Sequence, residues 1–158
     1  KYLTETAWKE ISNYTISSND VYFTIAGTIG DVGLIPQKWS GSNLTENAAK
    51  ICNLQEITKE YLCLVLQSSQ LQSRIKEKIS RVGVSKLGLY KIRELKIPLP
   101  PLPIQKQIVQ NIKNAEEKFK SQKSQFENIK ENYENSITYV NHIQSSILDT
   151  AFSGKLVK

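Results

Sequence analysis

Residues alternate in character from Val21 to Ala26. Val21, Phe23 and Ile25 take one side, and Tyr22, Thr24 and Ala26 take the other. A two-residue period is the signature of a strand with two distinct faces. Gly27, Gly30 and Gly33 follow at three-residue steps and predict turns, with Val32 to Ile35 as the returning strand and Pro36 as its stop. Ala48 to Cys52 makes another short strand. Thr58 is placed to cap a helix whose first turn closes at Tyr61. Leu64, Leu71, Ile75 and Ile79 keep one face apolar, so this helix is expected to run to about Ser80. Gly83 and Gly88 bracket a polar loop, and Ile97 and Leu99 suit a last short strand.

The pattern then changes. Prolines at 98, 100, 101 and 103 form a stiff, extended hinge, since each lacks an N–H and restricts the residue before it. From Ile104 to Ser153 there is neither Gly nor Pro, which predicts one long helix. Counting by sevens gives Ile112, Phe119, Phe126, Tyr133, Val140 and Ile147, all large and apolar. Three residues on stand Ala115, Gln122, Ile129, Ser136, Ile143 and Thr150. A strict heptad holds a seam against a partner helix. The aromatic residues are bulky for a parallel dimer, and an antiparallel pairing sets them against small ones such as Ala115, Ser136 or Ser145. Fifty helical residues span roughly 75 Å, against a radius of gyration of about 13 Å for a domain of 100 residues. The helix is therefore expected to pair beyond its own domain; folding back over that domain is the alternative. The expected fold class is α+β: an incomplete, mixed domain over 1–97, a hinge over 98–103, a coiled-coil helix over 104–153 and a tail over 154–158.

Composition adds limits. Of 158 residues, 39% are hydrophobic and 23% charged, which fits neither a disordered chain nor a membrane protein. The longest apolar runs, such as Leu62 to Leu66, are far short of a membrane span. No signal peptide opens the chain, and Cys52 and Cys63 form neither a disulfide framework nor a CxxC pair, so a reduced, cytoplasmic setting is expected. The chain has no methionine, and a piece of a longer protein is expected. The net charge is +6, with 13 Lys or Arg against 9 acids in residues 1–100.

Catalytic constellations are not apparent. The one histidine, His142, lies next to the seam position Ile143 and reads as an interface residue. No Ser/His/Asp set surrounds it, and the two cysteines lack metal-ligand company. Gly27 to Gly33 has GxxGxxG spacing, no GK[ST] ending and strands on both sides, unlike a nucleotide loop. No catalysis, metal or cofactor is expected of this chain.

Four segments carry a family resemblance: Thr24 to Gly33 (TIAGTIGDVG), Leu44 to Ile51 (LTENAAKI), Leu95 to Val109 (LKIPLPPLPIQKQIV) and Ser146 to Leu156 (SILDTAFSGKL). In this order and spacing the chain, over nearly its whole length, resembles the specificity (S) subunit of type I restriction-modification systems. Two positions depart from the pattern. Ile104 stands where the family more often has an acid, and several more strands usually precede a segment like Lys1 to Thr4, so either those are missing or the chain begins inside the domain. The resemblance implies one target-recognition domain followed by its long helix, with the ending pointing to the C-terminal half. It implies reading of one half of a bipartite site in double-stranded DNA. The helix, paired antiparallel with a second half or with a second copy, would set the spacer and dock methyltransferase (M) subunits. A restriction (R) subunit joins some such complexes. S-adenosylmethionine, and ATP where a nuclease is present, would bind those other subunits.

Base reading needs paired donors and acceptors on exposed loops: Arg or Lys for guanine, Asn or Gln for adenine. Arg81, Ser85 and Lys86, on the glycine-flanked loop, are the first candidates, followed by Lys38 and Asn43 in the turn after Pro36. Arg74, Lys76 and Lys78 are either phosphate contacts or a solvated helix face. The amides around Thr28 either cradle a phosphate or serve a tight hairpin. Trp8 and Trp39 are assigned to the core. The rival reading is a coiled-coil assembly adaptor with no DNA role.

Overall fold

The computed structural model describes residues 4–11, 14–79 and 85–153, apart from the side chains of Ala7, Trp8 and Glu10. Packing divides the chain into a first unit ending at Gln110 and a second beginning at Asn111. The first unit opens with helix α1 (Glu5–Ile11) and holds a three-stranded antiparallel sheet: β1 (Val21–Thr24), β2 (Val32–Leu34) and β3 (Ala48–Ile51), in the order β2-β1-β3. Val21 pairs with Leu34 on one side and Ile51 on the other, and Phe23 pairs with Val32 and Ala49. The alternation seen in the sequence decides which face is buried. Val21 and Phe23 are enclosed, while Tyr22 and Thr24 are half-buried on the opposite face.

Two glycines act differently from one another here. Gly30 has φ +97°, a left-handed conformation that glycine adopts without strain, and so makes the turn. Gly33 lies inside β2, opposite Tyr22, where any side chain would run into the tyrosine ring. It is a strand residue, as the expected returning strand Val32 to Ile35 has it.

The expected helix from Thr58 to Ser80 is two helices. Thr58 Oγ1 accepts from the Tyr61 N–H at 3.3 Å and opens α2 (Lys59–Gln67) as foreseen. Ser68 then turns extended (ψ 144°), its hydroxyl donating to Val65 O and accepting from the Leu71 N–H, and α3 (Ser69–Lys78) begins. The cause is register. The buried residues Leu62, Leu66, Leu71 and Ile75 are spaced by four, five and four, and the five-residue step does not fit one straight helical face. A corner at Ser68 brings both helices onto one core of Val21, Phe23, Val32, Leu62, Cys63, Leu66, Ile75 and Leu87.

The strand expected at Ile97 and Leu99 is also absent. A short helix, α4 (Leu89–Arg93), precedes an unpaired strap from Glu94 to Pro101, which Tyr61 Oη tethers by donating to Pro98 O at 3.2 Å. Prolines at alternate positions leave too few N–H groups for a ladder. Trp39 is not core: it is 57% exposed on a 3₁₀ turn (Gln37–Trp39), with Lys38 Nζ 5.6 Å from its ring centroid.

The last helix, α5 (Leu102–Phe152), starts two residues before the expected Ile104. Pro103 is tolerated because an N–H in the first helical turn has no partner anyway. Gln105 is fully buried in the first unit. Its Oε1 accepts from the Thr58 N–H at 2.8 Å, and its Nε2 donates to Glu56 O at 2.7 Å and Pro100 O at 2.8 Å. In the second unit every residue of α5 from Lys113 to Phe152 is exposed.

Candidate nucleic-acid interface and helix seam

The register of the hairpin sorts the DNA-contact candidates into two groups. The chain leaves β1 at Thr24 into the glycine turn and returns at Val32, so Thr28 lies at one end of the strands. The segment after Pro36 lies at the other, about 13 Å away for a four-residue strand.

At the first end, Lys86 forms an isolated bridge with Ala26, and the Leu87 N–H donates to Ile25 O at 2.9 Å. Gln72, on α3, donates to Gly30 O at 2.8 Å. The turn, the Ser85–Lys86 segment and α3 are thereby brought together. Thr28, Ser85, Lys86, Arg74 and Lys76 are all exposed, and the side chains of Lys86, Arg74 and Lys76 have no ion pair among the described residues. The amides of Ile29, Gly30 and Asp31 already bond Gly27 O, Thr24 O and Thr28 O within the turn, which favours the hairpin role over a phosphate cradle. Lys78 differs from its neighbours. It is half-buried, pairs with Glu94 Oε2 at 2.8 Å, and its own carbonyl accepts from Lys91 Nζ at 2.6 Å. Arg81 lies outside the described residues.

At the second end the loop from Pro36 to Asn43 is held firmly. Gly41 N donates to Ile16 O and Ile16 N to Ser42 O, and Asn43 Nδ2 donates to Ile11 O at 2.9 Å. One hydrogen of the Asn43 amide therefore ties the loop to the end of α1. Lys38 and Trp39 are exposed together on this loop, and no acidic residue occurs between Asp31 and Glu46. Other lysines that sequence alone cannot separate from contact residues serve the fold. Lys50 donates to Thr15 O at 2.7 Å and Lys59 to Ser18 O at 2.6 Å.

The heptad residues form an uncovered apolar stripe on α5. Phe119, Phe126, Ile129, Tyr133, Val140, Ile143 and Ile147 are exposed, and Ile112 is half-buried. Two polar companions suit such a seam. Ser136 Oγ donates back to Asn132 O at 2.8 Å and Thr150 Oγ1 to Ser146 O at 2.7 Å. Their hydroxyls are satisfied inside the helix, so covering them strands no donor.

Sequence reasoning missed a groove of about 880 Å³ beside the edge strand β3, lined by aliphatic residues such as Ile25, Leu44, Ile51 and Ile92. None of the DNA-contact candidates lines it. Among the described residues no cluster of three or more His, Cys, Asp or Glu stands ready to hold a metal ion. The Cys63 thiol is pushed up by burial and then by the charge of Glu60. No described helix is long and apolar enough to cross a membrane.

The family model described as the type I restriction modification DNA specificity domain matches residues 2–141. The type I restriction enzyme EcoBI specificity subunit of Escherichia coli is 27% identical over 142 residues, covering 89% of this chain and 28% of that protein. The chain thus spans less than a third of the curated relative it matches.

Proposed function

The chain belongs to the type I restriction-modification DNA specificity domain family, and on that premise we propose that it reads one half of a bipartite target in double-stranded DNA. Its role is recognition without catalysis. S-adenosylmethionine, and ATP where a nuclease is present, are bound by other subunits. The partners are methyltransferase subunits, a restriction subunit in complexes that cut, and a second specificity half or a second copy of this chain paired through α5. The helix pair spaces the two half-sites and docks the methyltransferase subunits. The setting is cytoplasmic, where these partners and their DNA meet.

The observation that carries this reading is the family match over residues 2–141. The exposed cations Arg74, Lys76 and Lys86, whose side chains have no ion pair among the described residues, support it, since phosphates attract such groups whatever the sequence. Selection of bound sequences from random duplexes by the assembled complex tests it. The expected result is an enriched half-site, with affinity falling steeply as salt rises. Binding with no sequence enrichment would overturn it. A second reading, an assembly adaptor that never touches DNA, rests on the uncovered seam of α5. It predicts oligomers with no DNA affinity at any salt concentration.

A further inference from the structure

Among the described residues, Gln105 is the one polar side chain with no exposure at all. Its amide uses both hydrogens and its carbonyl at once, and its partners come from two separate places: the loop at Glu56–Thr58 and the strap at Pro100. Glu56 holds a left-handed conformation (φ 58°), unusual for a residue with a Cβ, and its carbonyl is the one nearest the Gln105 Nε2. Tyr61 Oη adds a fourth bond on the same strap, to Pro98 O.

This chemistry exceeds what packing needs. An apolar side chain of similar volume would fill the same space without fixing the first turn of α5 in rotation or register. Three bonds of 2.7 to 2.8 Å from one planar amide do fix it, because a slip of one residue breaks all of them. Beyond Pro103 there is no Gly or Pro until Gly154. Resting on the reading that α5 spaces two half-sites, we infer that Gln105 is a positioning residue for spacer length: it fastens the reading unit to the start of the ruler, and contacts no base itself.

The test uses the assembled complex, with wild type, Gln105→Ala and Tyr61→Phe compared. Half-sites enriched by the wild type are held fixed in a duplex library whose spacer varies by single base pairs. The wild type should prefer one spacing. Gln105→Ala should lose roughly tenfold of that discrimination, the scale of one lost buried hydrogen bond, while the bases selected in each half-site stay the same. Tyr61→Phe, which keeps the ring and removes one bond, should shift in the same direction by less. Spacing discrimination as sharp as wild type in Gln105→Ala overturns the inference. So does loss of base preference together with spacing, which is what a merely structural residue gives. If Gln105→Ala does not assemble, Tyr61→Phe decides: a broader spacer profile supports the inference and a wild-type profile overturns it. A wild-type complex that enriches no sequence overturns the DNA-reading function, and this inference falls with it.

Discussion

Phe126→Asp is the sharpest perturbation of the α5 seam. Phe126 is 64% exposed and lies at the middle of the heptad run. Fully burying a Phe side chain is worth about 1.5–3 kcal/mol, so covering its exposed part against a partner helix is worth roughly 1–2 kcal/mol. In a symmetric antiparallel pair each copy contributes once, which gives about 2–4 kcal/mol per dimer. An aspartate in the same place loses this and adds two carboxylates, each costing several kcal/mol to desolvate. The dimer constant of the isolated chain should therefore weaken by at least about a hundredfold. The helix itself should survive, because Asp in a helix interior costs only about 0.7 kcal/mol against Ala. Sedimentation velocity over a concentration series reads the association, and circular dichroism reads helix content. Phe126→Leu serves as the apolar control and should remain dimeric. A Phe126→Asp chain that sediments as a dimer at wild-type concentrations would refute the seam, as would a wild-type chain that is monomeric throughout.

Further outcomes follow from particular residues. Lys86→Ala should weaken DNA binding by the assembled complex and reduce the slope of log affinity on log salt by about one, measured by anisotropy titrations. Lys78→Ala should leave that slope unchanged, because its ammonium is committed to Glu94; the pair is 33% and 57% exposed, so its loss costs less than about 1 kcal/mol in denaturant unfolding. A thiol reagent at neutral pH should label Cys52 in the folded chain and reach Cys63 only after denaturation. The raised Cys63 value means the folded state holds that proton more tightly. Its contribution is intact below the ordinary thiol value of 9.0 and is lost as pH rises through the folded value, so unfolding midpoints should fall in that range and Cys63→Val should flatten the fall. Gly33→Ala should destabilise by about 1–3 kcal/mol, since the new methyl group meets the Tyr22 ring; an unchanged denaturation midpoint would show that the ring moves aside freely.

The parts of this fold that can be read from the chain alone are those governed by local period. The alternation at Val21 to Ile25, the cap at Thr58 and the heptad from Ile112 each depend on neighbours within a few residues. The corner at Ser68 was hidden because Leu64, Leu71, Ile75 and Ile79 fit one helical face on their own. Only the burial of Leu62 and Leu66 against β1 and β2 makes a straight helix untenable. The charged residues divide the same way. Lys38, Lys86 and Arg74 look no different in sequence from Lys50, Lys59 and Lys78, and the distinction lies in carbonyls and a carboxylate supplied by distant segments. The residue type of Trp39 points inward, yet the backbone bonds that hold its loop leave the ring outside.

The proline hinge shows where this kind of legibility ends. Prolines at 98, 100 and 101 announce that no helix passes through 98–101, but not what holds the helix that follows. Gln105 stands among Ile104, Lys106 and Gln107, all exposed, and nothing in its type marks it as enclosed. Its enclosure depends on Glu56 and Thr58, 49 and 47 residues earlier. A buried amide is tolerated only when every donor and acceptor is matched, and its net contribution to stability is then modest. What matching adds is direction: one helix register satisfies all three groups and its neighbours satisfy none. On the proposal that α5 spaces two half-sites, direction at this joint matters more than stability, and the spacer profile of Gln105→Ala is its measure.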